Sequence, residues 1–169
     1  MKTKLLLTIA LFGFLSTSFG QQNTNWNKWD WLMGEWLGEG GGQLGESTGT
    51  FSFSLDLDKK ILVRKSHTEF PATDKKPKAI HEDLMIVYSD NSGNPTKAIY
   101  FDNEGHTINY SISYADKSII LTSEKIQNAP ISRLTYSLLD DKKVNTKFEM
   151  SQDGEKFVTY IEGKSKKTK

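Results

Sequence analysis

The sequence predicts an all-β protein, an up-and-down antiparallel barrel of about ten strands with a short N-terminal helix plugging one end. Two observations predict it. All four tryptophans fall between Trp26 and Trp36, and a series of short segments with alternating apolar and polar residues follows them. Burying one tryptophan removes about 150–250 Å² from water, which contributes roughly 4–6 kcal/mol before entropy is counted. Such a cluster suits the closed end of a barrel.

The helix is expected over residues 23–33. Trp26, Trp29 and Met33 recur there at the spacing that places them on one helical face, and Gly34 follows the last turn. This face would pack against the inside of the barrel.

Ten strands are expected in total. Apolar and polar residues alternate without interruption from Thr50 to Leu57. Turn residues such as Asn91–Pro95 and Asp153–Gly154 separate the strands, so consecutive strands form antiparallel hairpins. No helical crossover fits between them, and closure into a barrel removes the sheet edges. The expected strands are 35–40, 50–57, 60–70, 82–89, 96–102, 107–115, 117–124, 131–139, 143–151 and 156–163.

Residues 1–20 are predicted to be a secretory signal peptide. Lys2 and Lys4 precede an apolar segment, and Ser18 and Gly20 are small residues at the positions that a signal peptidase recognises. The segment is too short to span a membrane, and no other segment is apolar enough to do so. The mature chain would be one domain over residues 21–169, exported to a periplasm or out of the cell.

The composition excludes several classes of site and partner. The chain has no cysteine, so disulfides, thiolate metal sites and thiol nucleophiles are excluded. Without Lys2 and Lys4, the mature chain would have 20 basic and 21 acidic residues, which is not the charge balance of a nucleic-acid-binding domain. The lysine-rich residues 164–169 are expected to form a basic, solvated C-terminal tail.

The more apolar face of each strand is expected to line the barrel. In the third strand, alternate residues then point inward: Leu62, Arg64, Ser66 and Thr68. A buried arginine without an anion costs several kcal/mol, so Arg64 needs a protein carboxylate or the acid group of a ligand. Both alternatives stay open, as does a shifted register that turns Arg64 outward. Arg133 lies on the polar face of its strand and is expected outside.

Tyrosines on inner faces would supply hydroxyl groups to a ligand, although inward tyrosines more often pack and bond to the backbone or to water. Trp29 and Trp36 are assigned structural roles. The candidate ligand-binding residues are Arg64, Ser66, Thr68, Tyr88, Tyr110, Tyr114 and Tyr136.

No arrangement of catalytic residues is found, so the sequence favours a protein that is not an enzyme. Gly45–Gly49 matches the G-x-S-x-G motif, but that motif needs the strand-to-helix turn of a large α/β sheet. His67, His81 and His106 lack the spacing of a metal site. The segment His81-Glu82-Asp83 could hold an acid–base pair, but adjacent strand residues point to opposite faces, which weakens that interpretation.

Three motifs carry a resemblance to a known group of proteins. The chain opens with W-x-x-G-x-W-x-G-E-G at Trp31–Gly40, continues with Tyr100–Gly105, and has S-x-D-G at Ser151–Gly154. It resembles a family of exported, uncharacterised bacterial domains that look like calycin barrels, the group of lipocalins, fatty-acid-binding proteins and nitrobindins. The resemblance implies a lipocalin-like barrel in which Trp36 closes the floor.

The same resemblance addresses haem. Nitrobindins bind haem through a histidine just before a Val-Thr-Tyr-like segment of the last strand. Val158–Tyr160 is similar to that segment, but Glu155–Phe157 precedes it, and no histidine follows His106. Haem is therefore not expected, and no other cofactor or metal is predicted.

The leading functional prediction is an exported barrel that binds a small, partly apolar ligand whose acid group meets Arg64. The alternative is a structural or interaction domain with a barrel filled by side chains, acting through loops such as residues 71–78. Lipocalin-type transport would follow from the shared fold alone, and fold does not imply function. The sequence names no protein partner.

Overall fold

The computed structural model describes residues 24–40, 48–73, 77–90 and 92–169. The predicted signal peptide, the first residue of the expected helix and most of the G-x-S-x-G motif lie outside these residues. The described chain forms ten antiparallel strands, which are β1 (Gly34–Gly38), β2 (Thr48–Asp56), β3 (Ile61–Phe70), β4 (Ala79–Ser89), β5 (Pro95–Asp102), β6 (Thr107–Ala115), β7 (Ser118–Ser123), β8 (Ile131–Asp140), β9 (Lys143–Ser151) and β10 (Val158–Lys167).

These strands close into one barrel, which confirms the predicted fold class. Their order around the ring is β1-β10-β9-β8-β7-β6-β5-β4-β3-β2. Neighbours in sequence are neighbours in the sheet, and β1 completes the ring by pairing with β2 on one side and β10 on the other. Alternation decides the faces, because Phe53 on β2 and Leu62 on β3 are almost fully buried, while Ser54 and Lys65 at alternate positions of the same strands are exposed.

The C-terminal lysines are part of this ring. The expectation of a solvated tail is wrong, since Val158–Lys167 forms β10 and Lys166 pairs with both Leu37 and Lys143. Ser165 is buried between exposed lysine side chains. The backbone here completes two ladders of hydrogen bonds, while the lysine side chains on the outer face stay in water.

Helical structure in the described N-terminal segment is limited to a 3₁₀ turn, Asp30–Leu32. It is shorter than the helix expected over residues 23–33. The backbone bonds here join residues three apart, such as Trp29 N to Trp26 O and Leu32 N to Trp29 O, and Asn25 N bonds instead to Gly93 O. Gly34 has φ +107°, and a Cβ atom there would overlap the backbone oxygen of Lys169. Only glycine combines this backbone conformation with such a close approach.

The tryptophan segment plugs one end of the barrel, as predicted. Trp29 and Leu32 are fully buried, and Trp36 is nearly so. The Trp26 indole nitrogen donates to the Lys59 backbone oxygen at 2.8 Å, and the Trp36 indole nitrogen donates to the Leu32 oxygen at 2.8 Å. The plug is therefore held by buried hydrogen bonds as well as by packing.

The interior of the barrel has two halves. In the plugged half, the inward side chains are at most 2% exposed: Phe53, Leu62, Met85, Val87, Tyr110, Tyr136 and Val144. In the open half, inward residues keep partial exposure, and the space they line is called the cup: Phe51, Ser66, Thr68, Tyr100, Ile108, Phe148 and Met150. Asp83 and Asp102 also face this space, but their side chains are only 5% exposed. Among the described residues, the barrel is thus closely packed at one end and partly exposed to solvent at the other.

Tyr114 links the plug to the barrel wall and supports a first prediction. Its hydroxyl accepts a hydrogen bond from the Trp29 indole nitrogen at 3.0 Å and donates to the backbone oxygen of Pro95. Tyr114→Phe leaves the buried Trp29 donor without its acceptor, so we expect a loss of about 1–3 kcal/mol in the free energy of unfolding. Urea denaturation measures this loss. Tyr160→Phe, at an exposed tyrosine, is the control and should change stability little.

Candidate functional site

One wall of the cup is polar and is built by the inner faces of β3, β4 and β5. The strand register places Ser66 beside Asp83 and Asp83 beside Asp102, and it places Thr68 beside His81. The opposite wall, from β9, contains the apolar residues Phe148 and Met150, while the apolar Ile108 of β6 pairs with Tyr100 and adjoins the polar wall. The cup is therefore two-sided.

Arg64 lies at the base of the polar wall. Its side chain is buried, and its Nη1 atom donates to the Asp83 carboxylate, which is itself only 5% exposed. Of the alternatives left open by the sequence, the structure contains the protein carboxylate. A pair of this kind must be complete, because removing either partner strands the other charge in a buried position.

His81 extends this ionic pair toward the rim. Its Nε2 atom lies 3.1 Å from the Tyr100 hydroxyl and 3.6 Å from Asp83 Oδ2, and its Nδ1 atom lies 3.1 Å from Glu104 Oε1. The hydrogen bond to Asp83, aided by Glu104, raises the pKa of His81 to about 9 despite partial burial. His81 is therefore a cation at neutral pH.

Asp102 ends the polar wall at the β5–β6 turn. Burial by itself raises the pKa of Asp102, but the bonds from His106 and Glu104 outweigh burial and hold that pKa below its usual value. The contacts are the backbone N–H groups of Glu104 at 3.0 Å and His106 at 2.9 Å, and the His106 ring at 2.8 Å. Asp102 is therefore a carboxylate whose hydrogen-bond partners are residues of the protein itself.

Three buried polar atoms under the cup have no hydrogen-bond partner among the described residues: Arg64 Nε, Tyr136 Oη and Thr146 Oγ1. Arg64 and Tyr136 both contact Phe51, with the guanidinium carbon 5.5 Å from its ring centre and the two ring centres 6.1 Å apart. Thr146 is the β9 partner of Tyr136. Burial raises the pKa of Tyr136 to about 12, so its hydroxyl remains a donor.

The predicted site residues do not all meet at the cup. Ser66 and Thr68 lie on the polar wall, while Tyr110 is buried and Tyr114 belongs to the plug. The inward orientation expected for Tyr88 is wrong. Met85 and Val87 of β4 are fully buried, so Tyr88, the next residue along the strand, faces outward and is 38% exposed.

Sequence reasoning missed His81, Asp83, Tyr100 and Asp102. A signal was present, because His81 and Asp83 are two residues apart, as are Tyr100 and Asp102. Residues two apart on a strand share a face, but the sequence-based interpretation considered adjacent residues, which point to opposite faces. The spacing along the sequence does not show that these two pairs lie on neighbouring strands and come together.

A concavity of about 740 Å³ runs along β1 to β5 and Thr168. Its lining includes the cup residues Phe51, Ser66, Asp83 and Asp102 as well as the outward residues Lys65, His67 and Glu82. Over the described ranges, no group of three histidine or acidic residues is placed to hold a metal ion. No helix in those ranges is long and apolar enough to cross a membrane.

Comparison with known proteins supports the fold alone. No protein-family model matches the chain, and no curated protein matches its sequence. The crystal structure of Rv2717c from M. tuberculosis is similar, with a TM-score of 0.56 and 12% sequence identity. The similarity covers 85% of this chain and 97% of that one. At this identity it supports a shared barrel architecture and carries no activity or ligand over.

The unpaired hydroxyl of Tyr136 leads to a prediction opposite to that for Tyr114. Tyr136→Phe removes a buried group that has no partner, so the free energy of unfolding should stay constant or rise by about 1 kcal/mol. Urea denaturation of both variants under the same conditions makes the comparison direct. A clear loss of stability in Tyr136→Phe would show that this hydroxyl is bonded in the ligand-free protein.

His81 makes stability depend on pH. Because its pKa is raised in the folded chain, its contribution is complete below 6.5 and is lost as pH rises toward about 9. Over this range, the urea midpoint of the parent should fall more than that of His81→Gln. His67→Gln is the comparison on the outer wall: hydrogen bonds to Glu82 and Glu69 also raise the pKa of His67, but its ring is 43% exposed, so its contribution should be smaller. Equal falls in the parent and in His81→Gln would contradict the assignment.

Proposed function

We propose that this protein is an exported β-barrel that binds a small, partly apolar molecule carrying an acid group. One observation supports the binding role above the others: an open cup with one polar and one apolar wall stands over buried donors that lack acceptors. Ligand sites in proteins typically combine an apolar lining with a few convergent polar groups. The export part of the proposal rests on the signal-peptide pattern of residues 1–20.

The acid group is assigned to the base of the cup. Arg64 uses Nη1 for Asp83, which leaves Nε without an acceptor beside the Tyr136 hydroxyl. A ligand carboxylate or sulfonate would accept hydrogen bonds from both atoms, and bonds from a guanidinium to an anion are among the stronger ones. Asp83 stays on the other side of Arg64, so the ligand completes the ionic pair and does not replace it.

The apolar body of the ligand is assigned to the opposite wall and to Ile108. Ile108, Phe148 and Met150 point inward and are only partly covered by neighbouring side chains. Covering exposed apolar surface with a ligand contributes about 25 cal/mol of favourable free energy for each Å². The two walls together favour an amphipathic small molecule over a fully polar one.

A filled barrel that acts through its surface is the second candidate. The plugged half supports it, because Phe53 and Tyr136 meet edge to face with ring centres 5.4 Å apart and leave that half packed. This packing stops below the cup. The two candidates differ in one measurable respect, which is whether an acidic apolar probe binds inside the open half.

A pair of fluorescent probes tests the proposal. We expect 1-anilinonaphthalene-8-sulfonate, an acid, to bind the mature protein, and Arg64→Met to weaken that binding roughly 10- to 100-fold, as for the loss of a charged hydrogen bond. The affinity of Arg64→Met for the neutral N-phenyl-1-naphthylamine should fall much less. Arg133→Met is the matched control, because Arg133 lies on the outer wall against Glu149 and Phe157.

Two further measurements separate a lost site from a lost fold. Arg64→Met leaves Asp83 buried without its arginine, which costs about 3–5 kcal/mol, so folding must be verified by circular dichroism. Tyr136→Phe, which should fold normally, provides a second test and should also weaken binding of the acidic probe. Equal affinity of parent, Arg64→Met and Tyr136→Phe for the acid would overturn the role of the acid group. Absence of probe binding, with a bare polypeptide mass in native mass spectrometry, would favour the filled barrel.

A further inference from the structure

We propose that Gly163 leaves a slot in the apolar side of the cup for a planar ring, so that the ligand is an aromatic acid. This inference rests on the proposed function and specifies the class of molecule that the same site takes. Gly163 belongs to β10 and pairs with Thr146 on the inner face of β9. Gly163 therefore faces inward, next to Thr146, whose Oγ1 atom is one of the three unpartnered polar atoms.

Space distinguishes Gly163 from the other strand glycines. A Cβ atom built at this position meets no atom of the described residues within 4 Å, in contrast to Gly49 of β2, where it meets the Thr68 side chain. The backbone of Gly163 is not in the left-handed region, so conformation does not require glycine here. A glycine inside a strand marks a bulge, a bend, or close approach by a ligand or another backbone, and at Gly163 we assign the space to a ligand.

Neighbouring residues link the slot to the donors that would bind the acid group. Gly163 pairs with Thr146, Thr146 pairs with Tyr136, and the Tyr136 ring contacts Phe51. Phe51 in turn lies against the guanidinium of Arg64. A ligand with its body at Gly163 therefore has its acid group directed toward Arg64 Nε and the Tyr136 hydroxyl.

Aromatic side chains near the slot indicate a ring in preference to an alkyl chain. Phe148, the next inward residue of β9, is partly exposed and meets Tyr160 edge to face at 6.3 Å and 83°. Tyr160 lies at a bulge of β10 and is 61% exposed. Aromatic rings favour offset or edge-to-face contact with other rings, which a planar ligand beside Phe148 would provide.

A volume series at Gly163 tests the slot. Gly163→Ala, Gly163→Val and Gly163→Leu should all fold, because the added atoms meet open space and β-branched residues suit strands. Affinity for 1-anilinonaphthalene-8-sulfonate should fall stepwise with side-chain volume, by about tenfold or more for leucine. Ala115→Leu is the control, since it adds similar bulk at an exposed strand position outside the cup.

The outcomes keep this inference apart from the proposed function. If the parent and Gly163→Leu bind the probe equally while Arg64→Met does not, the slot is wrong and the acid site stands. If the parent does not bind the probe, both fail together. In competition, 1-naphthoic acid should displace the probe at lower concentration than a straight-chain acid with the same number of carbon atoms. The reverse order would overturn the assignment of a ring.

Discussion

Closure of ten strands into one ring leaves an interior that must be filled by side chains or entered by solvent, and the rest of the structure depends on this constraint. The tryptophans of residues 26–36 fill one end. Each buried indole N–H needs an acceptor, so Lys59, Leu32 and Tyr114 determine where the plug sits. At the other end, the large inward side chains of Phe51, Tyr100, Ile108, Phe148 and Met150 keep partial exposure. The cup is the part of the interior that the plug does not reach.

The two ends also differ in how their polar groups are satisfied. At the plug, the Tyr114 hydroxyl both accepts and donates a hydrogen bond. Below the cup, the Tyr136 hydroxyl is fully buried and has no partner in the described chain. Buried polar groups in folded proteins are nearly always paired, so an exception marks either a bound molecule or water. This contrast, found within one barrel and one residue type, is why the open end is the candidate site.

Charge balance explains why the polar wall is stable without a ligand. Arg64 and the His81 imidazolium both face the carboxylate of Asp83, and Asp102 accepts hydrogen bonds from His106 and the Glu104 backbone. The wall is therefore preorganised, and a ligand would not have to assemble it. Among the described residues, its unsatisfied ionic donor is Arg64 Nε, so a ligand can add an acceptor at that position.

The sequence by itself determined the barrel. Strict alternation in β2, tight turns and the tryptophan segment are local signals. Period-two patterning predicts Arg133 outside and favours Arg64 inside, but a shifted register that turns Arg64 outward stays open without the strand contacts. The sequence-based prediction was wrong at Tyr88, whose outward face follows from the burial of Met85 and Val87. It was also wrong at the C-terminal lysines, which pair with strand residues distant in the chain.

Only the tertiary structure decided the site. That Asp83 supplies the anion for Arg64 depends on the register between β3 and β4, and that Tyr136 reaches Phe51 depends on closure of the ring. The opening at Gly163 is likewise a property of what surrounds it, because a glycine in a sequence does not show whether space or conformation requires it. Local patterns specify which face a residue takes, whereas contacts across a barrel follow from register and closure.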